Sequence, residues 1–224
     1  MKFSKVHCLF EQSGTFKKAF EKLGYVTLDY DIVETSSVDV NVDLFAEIDN
    51  CFNKSDKSIF DNINSGDLVF AFFPCTFFSD QSQLISRGDN YGMRNFSIQE
   101  KLINSSTNMY NRAVFYQKLC MLCTIAINKR FKLIIENPYG NNRFLNKFFP
   151  LKPQLIIKDR RDYGDFFRKP TQFFFINCEP EFHLENYVLV QKKDYPRVES
   201  FEGLNRSLIS NEFAENFIKT FVDE

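Results

Sequence analysis

Apolar residues recur along this chain in two rhythms, and each rhythm predicts a different element. Short, mostly apolar runs occupy residues 5–10 (Lys-Val-His-Cys-Leu-Phe), 68–75 (Leu-Val-Phe-Ala-Phe-Phe-Pro-Cys), 132–138 (Lys-Leu-Ile-Ile-Glu-Asn-Pro), 154–158 and 172–176, and 25–31 is a further strand with acids at its end. Runs of this kind are strands covered by helices on both faces, as in a parallel sheet. Val38 to Asp43 adds a third, shorter strand after the second. Helical spacing carries Phe16, Phe20 and Leu23 to a stop at Gly24, and it returns over Ile98–Asn128 and Asn211–Val222. Ser13 or Thr15 is placed to cap the first of these helices. Phe45 to Ile63 reads as a helical or irregular connection. Strands alternating with helices predict one α/β domain over 1–224, three-layered and Rossmann-like, around a mostly parallel central sheet. The polar segment 76–97, with Gly88 and Gly92, fits a mobile flap.

Composition adds a core and a charge asymmetry. The 224 residues include 28 phenylalanines and no tryptophan, so a large aromatic core is expected. The formal net charge of -1 conceals an acidic stretch over 28–67 and a basic one over 142–169. The basic stretch, with Arg143, Lys147, Lys152, Lys158, Arg160, Arg161, Arg168 and Lys169, suits either phosphate contact or an ordinary solvated face. Six scattered cysteines form no disulfide framework, and no leader precedes the first strand; both point to a reducing cytoplasm. Cys120 and Cys123 have the spacing of half a zinc site but lie in an apolar helical run without a second pair, so no metal is expected. No run is apolar and long enough to span a membrane.

The candidate chemistry lies where strands end. Ligands of open α/β sheets bind beyond the carboxyl ends of the strands. Pro74 and Cys75 close one strand there, and Glu136 with Asn137 closes another. A thiol and a carboxyl at neighbouring strand mouths point to covalent chemistry assisted by an acid. The opening strand, Ser13-Gly14-Thr15, a helix and a strand ending in Asp31 have the layout of a nucleotide-type cofactor site. His7 reads as a satisfied core histidine. Arg160 and Arg161 have a plain alternative role as ion-pair partners of Asp159 and Asp162.

Taken in order, Phe10, Ser13-Gly14-Thr15, Asp31, Asp43, Phe73-Pro74-Cys75, Glu136-Asn137-Pro138 and Lys169-Pro-Thr resemble the DNA cytosine-5 methyltransferases, especially short phage- and prophage-type members. The resemblance spans residue 5 to about 176, and the tail from Arg206 through Phe213-Ala214 is similar to the family's closing helix. It implies a methyltransferase fold that takes S-adenosylmethionine and methylates carbon 5 of cytosine in DNA, with RNA as a further candidate substrate. By the same resemblance Cys75 attacks carbon 6, Glu136 activates the base near ring nitrogen 3, Asn137 holds the loop, and Arg160, paired with Lys158, steadies the base. Phe10, Asp31 and Asp43 would meet adenine, ribose hydroxyls and the adenine amine, with Ser13, Gly14, Thr15 and Pro74 completing the cofactor site. Gln12 stands where the family has its first motif glycine, and Phe73 where it has a proline. The stretch 177–205 is short for a target-recognition domain. Two alternatives therefore stay open: a diverged binding protein of this fold, such as a phage interaction or anti-defence protein, and a cytosine-modifying enzyme with a changed cofactor.

Overall fold

A computed structural model describes residues 1–183 and 208–222. Seven strands form one sheet: β1 Lys5–Leu9, β2 Val26–Asp31, β3 Val40–Asn41, β4 Leu68–Ala71, β5 Lys132–Pro138, β6 Leu155–Ile157 and β7 Thr171–Ile176. Their spatial order is β3-β2-β1-β4-β5-β7-β6. The first five are parallel, with His7 beside Leu28 and Val69, and Phe70 beside Ile134. β7 runs antiparallel to both β5 and β6. The sheet is thus mostly parallel, and the fold is three-layered α/β.

Alternation along the strands divides the core in two. Val6, Cys8, Leu68, Phe70 and Ile134 face α1 (Thr15–Lys22) and α6 (Asn211–Phe221), where they pack with Phe16, Phe20, Phe213 and Phe217. Leu9, Val69, Ala71, Leu133 and Ile135 face α2 (Leu44–Asn53) and α4 (Ile98–Lys129), with Leu44, Ile48, Leu119 and Leu122. Successive strand side chains point to opposite faces, so an unbroken apolar run feeds both layers at once. Much of the phenylalanine lies here; the Phe173 and Phe217 ring centroids are 4.3 Å apart. No helix of the described residues is long and apolar enough to cross a membrane.

Four sequence expectations change. Segment 76–97 is not an open flap: it holds a 3-10 turn at Thr76–Phe78, helix α3 (Asp80–Arg87) and a second 3-10 turn at Tyr91–Met93. Arg112 of α4 holds it down, its Nε donating to the Phe77 carbonyl at 2.8 Å and a terminal nitrogen to Ser82 Oγ at 3.0 Å. A short helix, α5 (Phe144–Phe148), follows β5, where no element was expected. The strand after Gln154 stops at Ile157, and Arg160 opens a 3-10 turn, so exposed Lys158 and buried Arg160 do not share a strand face. Finally, neither Ser13 nor Thr15 caps α1. Its N-cap is Gly14, and the carboxylate of buried Glu11 accepts from the Phe16 and Lys17 amides at 2.7 and 3.3 Å. The segment expected to stand in for a recognition domain, 177–205, lies largely outside the described residues, as does Arg206.

Candidate active site

β1, β2 and β3 step one way across the sheet, and β4 and β5 step the other way. The reversal between β1 and β4 opens a crevice beyond their carboxyl ends, the place where doubly wound sheets take ligands. A cleft of about 810 Å³ lies there, within the size range of small-molecule and cofactor sites. Its wall brings together Phe10, Ser13, Asp31, Asp43, Pro74, Cys75, Glu136 and Arg160, residues far apart in sequence.

The thiol end is built by β4 and β5. Beyond β4 the Phe72 amide still donates to the Leu9 carbonyl at 2.9 Å, and the chain then turns at Pro74. Cys75 sits at φ -93°, ψ 0°, the bridge region that many active-site residues occupy. Its carbonyl accepts from the Phe78 amide at 3.0 Å, which closes the turn and leaves the thiol on the cleft wall. Asn137 is buried and points away from the cleft, its Nδ2 donating to the Phe73 carbonyl at 3.0 Å. Asn137 therefore ties β5 to the turn that carries Cys75. Burial raises the Cys75 thiol, and the Glu136 charge raises it further; Lys169 and Arg143 oppose both. Burial likewise raises the Glu136 carboxyl, with Lys169 and Arg160 pulling it down.

Arg160 is buried and ion-paired to buried Asp165, and its guanidinium carbon lies 4.8 Å from the Phe213 ring centroid. Asp165 in turn accepts from the Ser210 amide at 3.0 Å, which locks the turn to the start of α6. Arg161 instead pairs with Asp159 at 2.8 Å, as its plainer reading held. Among the basic residues of 142–169, only Lys147, Lys152, Lys158 and Arg168 are exposed.

The other end of the cleft centres on Phe10 and Asp31. Phe10 adopts φ 61°, rare for a residue with a side chain. Its amide donates to the Tyr30 carbonyl at 3.0 Å, and its ring lies edge-on to Phe45 and Phe73 at 5.9 and 5.4 Å between centroids. Asp31 accepts from the Val33 amide at 2.8 Å. Burial raises its carboxyl, while hydrogen bonds from the Val33 amide and the Gln12 side chain act the other way. Asp43 lines the cleft but also caps α2, accepting from the Phe45 and Ala46 amides at 2.9 and 3.3 Å.

Gly14 and Thr15 are not on the cleft wall. Gly14 has φ 62°, and a Cβ there would lie 2.7 Å from Ser37 Cβ. The glycine thus permits close approach of the 35–37 loop, whose Thr35 and Ser37 hydroxyls donate to the Gln12 carbonyl at 3.2 and 2.8 Å. Gln12 itself lines the cleft, between Glu11 and Ser13 and on the same wall as Asp31.

Two residues of the site were missed as functional groups. Glu11 precedes its helix by too many positions to read as an N-cap. In the sequence Lys169 stands out only as part of the basic stretch and of Lys-Pro-Thr, yet it stands on the cleft wall with its charge set against Cys75 and Glu136. Its place before a strand that follows an arginine-rich turn was the one available signal. A scan against protein-family models matched none, and a search of curated proteins found no match for this chain.

Proposed function

We propose that this protein is an S-adenosylmethionine-dependent methyltransferase that modifies carbon 5 of cytosine in DNA through a covalent Cys75 adduct. The observation carrying this reading is the convergence of Cys75 from β4 and Glu136 from β5 on one cleft, with Phe10 and Asp31 on its other side. Phe10 offers a ring face for adenine and Asp31 a carboxylate for ribose hydroxyls, so the residues present fit the cofactor. When bound, that cofactor supplies an electrophilic methyl group. The chain's own part is to place the thiol against carbon 6 of a base lifted from its stack, while a protonated Glu136 donates to ring nitrogen 3. A carboxylic acid kept neutral by burial serves as such a donor. Arg160, held by Asp165, sets a cation at the edge of the same space.

The test is incubation with S-adenosylmethionine and either DNA or RNA, followed by nucleoside mass spectrometry. 5-Methylcytosine formed by the wild type and absent with Cys75→Ala supports the mechanism. Unchanged product in Cys75→Ala would sink it, and product from RNA alone would move the substrate. A second reading, a diverged binding protein of this fold, is favoured by Gln12, whose side chain lines the cleft beside Asp31 where a glycine would leave room for close approach of a ligand. Cofactor binding that Asp31→Ala fails to weaken, with no methylated product, would favour that reading.

A further inference from the structure

The cleft holds one cation whose position the proposed chemistry has not yet used. Lys169 lies just before β7, and β7 pairs antiparallel with β5 so that Pro138 faces Thr171 and the Tyr139 amide donates to the Pro170 carbonyl at 2.8 Å. This pairing fixes Lys169 beside the mouth of β5, and it lines the same cleft as Cys75 and Glu136. We propose that Lys169 is the counter-charge that lets Cys75 stand as a thiolate beside a protonated Glu136. The proton leaves Cys75 Sγ and is taken by the Glu136 carboxylate; no other bond changes. Lys169 acts through these two groups and not on the substrate, so it is a positioning residue in the electrostatic sense.

Two charged states compete for the cleft. With Glu136 ionised and Cys75 protonated, the negative charge sits on the carboxylate; after transfer it sits on sulfur, and the ammonium compensates either one. The transferred state is the one the chemistry needs, because a thiolate attacks and a neutral acid donates. Among the described residues, the charged groups that act on Cys75 are Glu136 of β5, Lys169 and Arg143 at the start of α5. Those facing Glu136 are Lys169, Arg160, Asp165 and Arg143. Those facing Lys169 are Glu136, Arg160, Cys75 and Asp165. Arg160 is committed to Asp165 by a buried ion pair. Lys169 opposes the rise of the thiol more than Arg143 does, and it opposes that of the carboxyl more than Arg160 or Arg143.

This inference deepens the methyltransferase reading and rests on it for its purpose, but its test needs neither cofactor nor nucleic acid. The full-length protein is alkylated with iodoacetamide across pH 5.5–9.5, and modification of the Cys75 peptide is followed by mass spectrometry. Lys169→Met should raise the half-maximal pH for Cys75 and slow alkylation at pH 7 about tenfold, since one unit of thiol pKa changes the thiolate fraction about tenfold. Lys169→Arg should keep the wild-type midpoint, and so should Glu136→Gln, which copies the protonated acid. A midpoint that falls in Glu136→Gln would mean that the carboxylate holds the charge and would overturn the transfer. Far-ultraviolet dichroism checks each fold, and Cys120, within α4, is an internal reference whose rate should not move. A Cys75 midpoint unchanged in folded Lys169→Met, or shifted equally by Lys169→Arg, overturns the proposal. Loss of methylation with these shifts intact would overturn the substrate reading and leave the charge arrangement standing.

Discussion

Asp29 offers a direct test of how burial sets charge in this protein. It lies on β2, two residues before Asp31, fully buried, and among the described residues neither carboxyl oxygen has a hydrogen-bond partner. Desolvation pushes its pKa from 3.8 to about 8, with Glu11, Asp31 and Asp39 adding to the rise and Lys17 opposing it. An acid whose folded pKa lies above its unfolded value holds a proton that the unfolded chain has already released. Stability from this group is therefore greatest below the unfolded value, falls as pH climbs towards 8, and levels off above. The slope is about 1.4 kcal/mol per pH unit, so Asp29 costs about 4 kcal/mol at pH 7 relative to strong acid. Asp29→Asn removes the titration. Its amide inherits the same lack of partners, so a net gain of about 2 kcal/mol at pH 7 is expected, after the cost of an unpaired buried amide. Urea melts of wild type and variant at pH 5, 6, 7 and 8 supply the readout. Glu11 and Asp31 are also raised and tilt both proteins alike, so the difference between the two curves isolates Asp29. It should widen steadily with pH up to about 8. A constant offset across the series would refute the reasoning.

Two further substitutions probe the supports behind the cleft wall. Gly14→Ala should cost about 2–3 kcal/mol, combining a left-handed backbone that alanine resists with the contact against Ser37. Adding Ser37→Gly should recover only the steric share of that loss in a thermal melt, whereas full recovery would mean that the backbone angle is harmless. Asn137→Ala removes the bond to the Phe73 carbonyl and leaves that acceptor unpaired, a loss of about 1–3 kcal/mol. Native-state hydrogen exchange should show faster opening around residues 72–78 than around β1, and uniform acceleration would assign Asn137 to general stability instead.

The central strands β1, β4 and β5 were legible because they are buried on both faces and so take apolar residues at most positions, a pattern that owes nothing to long-range partners. Cys75 and Glu136 could be placed at strand mouths for the same reason: the apolar run stops where the layers stop covering it. Where chain neighbours did not decide the outcome, the sequence alone misplaced or missed the residue. A helix cap is usually sought at the adjacent serine or threonine, but Glu11 wins because its long buried side chain reaches two amides at once. Arg160 resembles a surface cation until Asp165 and Phe213 surround it. Segment 76–97 looks like a loose flap until Arg112, from a helix that begins after it, grips its backbone. Lys169 acquires meaning only when β7 turns antiparallel and carries it to the end of β5. Local composition determined which segments became strands and where polar residues could end them. Tertiary structure decided which of those ends meet, because strand order and direction depend on pairing between segments far apart in the chain.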